Sequence, residues 1–287
     1  MLDDYADFAE FCFKTFGDRV KNWFTFNEPR VVAALGYDDG SFAPGRCSRA
    51  FMNCTAEGNS ATEPYIVAHH LILAHATAVN RYRNYQVQQK GKIGILCDFV
   101  WYEAHSDSAA DQQAAQRARD FHVGWFLHPI TYGEYPRSMQ EIVQERLPKF
   151  TPEEAELVKG SIDYVGINQY TSYYTKDRPG APPFLSYSKD WHLDFACMDY
   201  ADLPLPDGLY DFERISYYQS YLLQLKKAID EGANVVGYFA WSLLDNFEWL
   251  SGYTSRFGLV YVDYKTQKRY PKMSALWFKK MIQPKKK

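Results

Sequence analysis

The 287-residue sequence lacks a long hydrophobic run, is poor in cysteine and has little excess charge. No stretch approaches 18 consecutive apolar residues, so no membrane span is predicted. The net charge of −3 gives no field that would attract nucleic acid. Five cysteines are too few for a disulfide scaffold, and His69 and His70 lack metal-ligand partners four residues away. The sequence therefore predicts no membrane span, no nucleic-acid partner and no metal.

Two features give opposite indications about the cellular compartment. The N-terminal stretch MLDDYADFAEF is acidic and amphipathic, so we expect no export signal in this chain. Cys47 and Cys54, however, lie seven residues apart in a loop rich in Gly, Ser and Asn, where a local disulfide closes easily. The tripeptide Asn53-Cys54-Thr55 is a glycosylation sequon, which is used only in a secretory compartment.

What the sequence does contain is 46% hydrophobic and 17% aromatic residues, arranged as apolar strands that alternate with amphipathic helices. Strands are predicted over 23–28, 91–102, 163–170 and 234–241. Helices are predicted over 4–17, 62–84, 108–122, 137–145, 151–159 and 212–231. Residues 32–59 and 176–211 are predicted to be loops, because they are rich in turn-forming residues and show no period.

This alternation predicts an α/β fold with a parallel sheet covered on both faces, and the (β/α)8 TIM barrel fits it best. We expect one partial barrel domain over residues 1–287, because only four strands can be counted. Polar residues at the carboxyl ends of the strands indicate a shared site at that edge. Glu28, which follows the run Trp23–Phe26 and precedes Pro29, is the first candidate for catalysis.

The motifs TFNEP, DYVGINQYTS and WSLLDNFEW, in this order, resemble plant-type β-glucosidases of glycoside hydrolase family 1. The resemblance covers nearly the whole chain. It implies retaining hydrolysis of a β-glucoside, with glucose or a β-glucoside as ligand, no cofactor, and a barrel that keeps equivalents of strands four, five, six and eight. Members of the family are usually extracellular, vacuolar or plastid proteins.

The resemblance also implies roles for residues of the first two motifs. Glu28 is similar to the general acid/base, and Asn27 to the residue that holds the sugar 2-hydroxyl. Tyr170 resembles the tyrosine that contacts the catalytic nucleophile, and Asn168 lies near it. Acid/base catalysis by one carboxyl group contributes on the order of 10²–10⁴-fold, so full activity needs a second carboxylate.

In the third motif, the resemblance makes Trp241 the platform under the glucose ring. Glu248 and Trp249 are similar to the contacts of its outer hydroxyls, and Phe257 to a neighbour of the 6-hydroxymethyl group. These residue types suit a sugar, because an indole stacks on the apolar C–H face of a pyranose and a carboxylate accepts hydrogen bonds from its hydroxyls.

The chain departs from the family pattern at the second catalytic glutamate, which lies in a Glu-Asn-Gly sequence that is absent here. The nearest match is Cys197-Met198-Asp199, and a gapless alignment puts Phe195 at the glutamate. Asp194 is the closest carboxylate, but adjacent strand residues point to opposite faces. We expect an internal segment with strand seven to be missing here, and strands one to three to precede Met1.

Three functions stay open. The chain is a working β-glucosidase, a catalytically silent relative of one, or a non-catalytic sugar-binding or assembly partner that uses Trp241, Glu248 and Trp249. An incomplete barrel also leaves strand edges and apolar side chains uncovered, so we expect poor solubility.

Overall fold

The computed structural model describes residues 2–196 and 205–283. The chain divides into two compact units, unit 1 over residues 1–197 and unit 2 over residues 198–287, and each is described by itself. The tripeptide Cys197-Met198-Asp199 and the terminal lysines lie outside the described residues.

Unit 1 alternates strands and helices, as the sequence predicts. Its helices are α1 (Leu2–Phe16), α2 (Pro29–Tyr37), α3 (Glu63–Gln89), α4 (Ala109–Arg119), α5 (Trp125–Tyr132), α6 (Arg137–Val143) and α7 (Pro152–Val158). Its strands are β1 (Asn22–Asn27), β2 (Arg46–Cys47), β3 (Ala56–Glu57), β4 (Lys92–Ala104), β5 (Tyr164–Asp177) and β6 (Leu193–Ala196). Three of the four predicted strands are thereby confirmed.

The main sheet of unit 1 has the order β1-β4-β5-β6. β1, β4 and β5 run parallel, whereas β6 pairs antiparallel with β5. α2 and α3 connect β1 to β4, and α4 to α7 connect β4 to β5, as parallel pairing requires. The largest fully buried side chains of this core include Trp125, Tyr65, Phe121 and Phe126, each of which stabilises the fold by about 1.5–3 kcal/mol when removed from water.

Two β-bulges interrupt the pairing beside the predicted site. In β1, Thr25 and Phe26 together oppose the single residue Ile95 of β4. In β5, Tyr170 and Thr171 together oppose Val100. A bulge bends its strand and changes the direction of the next side chain, so both bulges affect residues named in the sequence analysis.

Two segments that the sequence predicts to be loops contain regular structure within unit 1. Residues 32–59 include most of α2 and the short strands β2 and β3. Pro29 at the first turn and the following run VVAAL are the helix signal that sequence reasoning missed. Residues 176–211 include the end of β5 and all of β6, which form because β5 extends to Asp177 and offers an unpaired edge.

Unit 2 contains α8 (Phe212–Asp230), β7 (Val260–Val262), β8 (Arg269–Pro271) and α9 (Met273–Ile282). β7 and β8 form an antiparallel pair. The strand predicted over 234–241 is wrong, because these residues have no regular structure and most are exposed. An apolar segment becomes a strand only where a neighbour satisfies its backbone N–H and C=O groups, and 234–241 has no strand partner in unit 2 as described.

Candidate active site

Glu28 lies directly after β1 and is the N-cap of α2. Its backbone is in the left-handed region, with φ 50° and ψ 55°, and its N–H donates to the carbonyl of Leu96 at 2.7 Å. A residue other than glycine adopts this conformation at a cost on the order of 1–3 kcal/mol, and such residues are concentrated at functional sites. The backbone of Glu28 therefore has the strain that is common at functional sites.

Asn168 of β5 brings two predicted site residues together. Its Nδ2 donates to Glu28 Oε1 at 2.6 Å and to Asn27 Oδ1 at 3.1 Å. β1 and β5 are separated by β4, so these side chains meet across the carboxyl end of the middle strand. The structure thus assembles Asn27, Glu28 and Asn168 into one polar cluster at the predicted edge of the sheet.

Tyr170 lies two residues further along β5, within the bulge, and its side chain is half exposed. The Glu-Asn-Gly sequence that would carry its predicted partner, the nucleophile, does not occur in this chain. Its predicted role as a contact of the nucleophile therefore stays a prediction.

Behind the cluster lies a buried charged network that sequence reasoning missed. Arg30, in the first turn of α2, donates from Nε to Asp98 Oδ2 at 2.7 Å. His122 Nε2 donates to the same oxygen at 2.8 Å, and its Nδ1 is within hydrogen-bond distance of the Tyr102 hydroxyl. The network ties α2, which begins beside Glu28, to β4 and to the turn that follows α4. The only sequence signal was a buried-strand position occupied by an aspartate, Asp98.

Burial alone would raise the pKa of Asp98, but Arg30 and His122 lower it to about 2. Burial lowers the pKa of His122, the positive charge of Arg30 adds to this, and Asp98 offsets part of it. Asp98 is thus an ionised partner of Arg30 and is engaged in the network.

The predicted sugar contacts of the third motif lie in unit 2. The side chains of Trp241 and Trp249 are 53% and 66% exposed, and Phe257 is also exposed. Trp241 and Phe257 belong to neighbouring segments, because Ser242 N–H donates to the Phe257 carbonyl at 3.1 Å. Glu248 and Trp249 form a tight turn closed by Glu248 N–H donating to Gly252 at 2.6 Å.

The segments that carry the predicted sugar contacts are joined by hydrogen bonds and ion pairs to the side chain of Asp245. Its fully buried carboxylate accepts from the N–H groups of Gly258 at 2.9 Å and Val262 at 3.1 Å. It also pairs with Lys272 and Arg256, each at 3.3 Å. Burial lowers the pKa of Lys272, and Arg214 adds to this while Asp245 offsets part of it. Asp245, which lies between Trp241 and Glu248 in the chain, therefore holds the backbone that follows Phe257.

Other features bear on the predictions from sequence. Cys47 and Cys54 are joined by a disulfide. Within residues 2–196 and 205–283, no cluster of three or more His, Cys, Asp or Glu residues is placed to hold a metal ion. No helix in the described part of the chain is long and apolar enough to cross a membrane.

Comparison of the sequence with known protein families shows to which family this chain belongs. The chain matches Glycosyl hydrolase family 1 over residues 1–196 and 199–287. It belongs to that family. It is 61% identical to Beta-glucosidase 44 of Arabidopsis thaliana, over 98% of this chain and 64% of the relative. The recognition of a plant-type family 1 sequence is thereby confirmed.

Solved structures agree. A rice β-glucosidase in a covalent complex with Glc matches with a TM-score of 0.95 and 42% identity, over 99% of this chain and 70% of that one. A β-glucosidase of the fungus Humicola insolens in complex with glucose matches with a TM-score of 0.91 and 36% identity, over 98% and 69%. The fold of this chain is therefore the (β/α)8 barrel of family 1 in an incomplete form.

The chain spans about 64% of the length of the curated relative that it matches at 61% identity. That alignment has 331 positions, which exceeds the 287 residues of this chain by 44. The family match is interrupted at residues 197–198, next to the predicted junction. Phe195 lies near the end of the first matched segment, and its gapless placement at the glutamate stays a prediction.

Proposed function

We propose that this chain is a catalytically silent family 1 β-glucosidase relative that keeps the acid/base half of the site and lacks the nucleophile. The contact between Asn168 Nδ2 and Glu28 Oε1, at 2.6 Å, is the observation that carries the proposal. It supports a role for Glu28 as the group that faces a glycosidic oxygen, with Asn27 beside it.

The carboxylate that the site lacks is the nucleophile of retaining hydrolysis. Retaining hydrolysis needs two carboxyl groups about 5–5.5 Å apart, one as acid/base and one as nucleophile. The sequence contains no Glu-Asn-Gly, and the interruption of the family match lies where a segment carrying it is expected. Without a nucleophile no covalent glycosyl-enzyme forms, so Glu28 has no intermediate to hydrolyse.

The residues before the interruption do not replace the nucleophile. Asp194 pairs with Arg178 at 3.1 Å, and its carboxylate is largely exposed on an antiparallel strand. The ring of Phe195 packs against Tyr102 and Trp191, with both centroid distances 5.6 Å. β6 therefore ends the sheet with an antiparallel strand, whereas the family nucleophile requires a parallel barrel strand.

The test is an aryl β-glucoside assay on the purified chain, with Glu28→Gln as its matched variant. We expect no turnover from either protein, and no change on adding azide, since azide intercepts only a glycosyl-enzyme. Turnover by the unchanged chain that Glu28→Gln abolishes would refute the proposal. Azide-stimulated turnover by Glu28→Gln would show that a nucleophile is present.

A second candidate, sugar binding without catalysis, is favoured by the exposure of two indoles at predicted sugar contacts. Trp241 and Trp249 each present a face on which a pyranose can stack. Calorimetric titration with glucose tests it, with Trp241→Ala and Trp249→Ala expected to remove the heat of binding. Trp101→Ala, which removes an exposed indole of unit 1, is the control and should leave that heat unchanged. Absence of heat at millimolar glucose would eliminate this candidate.

A further inference from the structure

The loop between α2 and α3 contains a modification motif that the proposed function does not use. Asn53-Cys54-Thr55 is the only Asn-X-Ser/Thr sequence in the 287 residues. Asn53 is exposed, as an acceptor of a bulky surface glycan must be. The sequon therefore lies where a carbohydrate chain does not disturb the core.

The middle residue of this sequon is also one half of the Cys47–Cys54 disulfide. The third residue is engaged as well, because Thr55 donates from both its backbone N–H and its Oγ1 to the carbonyl of Gly45, each at 3.1 Å. In the closed loop the residues that flank the acceptor are thus cross-linked and hydrogen-bonded. Loop closure therefore engages Cys54 and Thr55, two of the three residues of the sequon that glycan transfer requires.

We propose that Asn53 is an N-glycosylation site whose occupancy is limited by closure of the Cys47–Cys54 disulfide. Both reactions belong to an oxidising secretory lumen, which is where disulfides of this kind form. The order of the two events then decides which form of the loop is produced: transfer before closure gives a glycosylated loop, and closure first leaves Asn53 unmodified.

Both steps balance with reactants of that lumen. In the first, Asn53 Nδ2 bonds to C1 of the first sugar of a lipid-pyrophosphate-linked oligosaccharide. The bond from C1 to the pyrophosphate oxygen breaks, the lipid pyrophosphate leaves with the bonding electrons, and Nδ2 gives up one proton. In the second, the thiols of Cys47 and Cys54 lose two protons and two electrons to an oxidised thiol-disulfide oxidoreductase, which becomes a dithiol.

The test is translation of the full chain behind a cleavable secretory leader in the presence of microsomes. The glycosylated fraction is read from gel mobility before and after endoglycosidase treatment. The unchanged chain is compared with Asn53→Gln and with Cys47→Ser, which prevents the disulfide but leaves the sequon intact. Cys12→Ser, which removes a free cysteine outside the loop, is the matched control.

We expect Asn53→Gln to remove the endoglycosidase-sensitive band. Cys47→Ser should raise the glycosylated fraction about twofold or more, because the competing cross-link no longer forms. A reductant added during translation should have the same effect, and Cys12→Ser should have none. No sensitive band in any variant would refute glycosylation of Asn53, and equal occupancy in the unchanged chain and Cys47→Ser would refute the competition.

Discussion

Asn168 Nδ2 lies 2.6 Å from Glu28 Oε1, although the two residues come from strands that are not neighbours in the sheet. Neighbouring strands are about 4.8 Å apart, so β1 and β5 are separated by roughly 10 Å. The contact exists because Glu28 leaves β1 in a left-handed conformation and a polar side chain reaches it over the end of β4.

The hydrogen bond itself is accessible to a double-mutant cycle. An intramolecular hydrogen bond contributes about 0.5–1.5 kcal/mol to stability, and the bond between Asn168 and Glu28 is partly buried. We expect Asn168→Ala and Glu28→Ala to couple by about 1 kcal/mol in the free energy of unfolding of unit 1. Denaturant unfolding followed by tryptophan fluorescence measures it. Exact additivity of the two changes would show that the contact does not contribute to stability.

Removal of Asp245 tests whether its buried carboxylate fixes unit 2. Asp245→Ala leaves Lys272 buried without that partner, which should destabilise the unit by roughly 3–5 kcal/mol. Hydrogen exchange of residues 242–275, measured by mass spectrometry, should accelerate accordingly. Adding Lys272→Met should recover part of the loss, because the buried ammonium group of Lys272 is then absent.

The matched control for Asp245→Ala is Asp230→Ala, which breaks an exposed pair with Lys226. Exposed pairs contribute about 0–1 kcal/mol, so exchange of residues 242–275 should remain unchanged. Equal effects of the two substitutions would contradict the role given to Asp245.

Asp38 makes a pH-dependent contribution to the stability of unit 1. Burial raises its pKa to about 6, and Ser188, whose N–H donates to Oδ2 at 3.1 Å, offsets part of that effect. Between pH 4 and 6 the folded state keeps a proton that the unfolded state has lost. The free energy of unfolding should therefore fall by up to about 3 kcal/mol as the pH rises through this window.

Asp38→Asn isolates this contribution, because the amide does not ionise. The difference in unfolding free energy between the unchanged chain and Asp38→Asn should shift by that amount from pH 4 to 6. The buried His75, whose pKa burial lowers to about 4, gives the opposite slope but is present in both proteins and cancels. A difference that is independent of pH would contradict the assignment.

The outer face of β5 should promote self-association. Val165 and Ile167 are 44% and 43% exposed on a strand of a parallel sheet, where such residues are normally covered by helices. The double change to Thr at both positions should raise the monomeric fraction measured by light scattering, because it removes apolar contact area. Val87→Thr, at an exposed position of α3, should have no effect. A monomeric unchanged chain that melts sharply would contradict the prediction.

Much of unit 1 could be predicted from the sequence because its signals are local. The apolar runs of β1, β4 and β5 and the capped helices between them carry their own periodicity, and α7 begins with the complete capping box of Thr151 and Glu154. Residues 234–241 show the limit of this reasoning. Their composition is that of a buried strand, but strand formation depends on a partner elsewhere in the chain, which no local pattern reports.

The sequence by itself determined the family, the motif that contains Glu28 and the absence of a Glu-Asn-Gly nucleophile, because these are statements about residue order. Only the tertiary structure decided that Asn168 reaches Glu28, that Arg30, Asp98 and His122 form a buried network, and that β6 pairs antiparallel with β5. These contacts join residues up to 140 positions apart. They depend on strand order, on bulges that redirect side chains and on burial, which arise only when distant segments pack together.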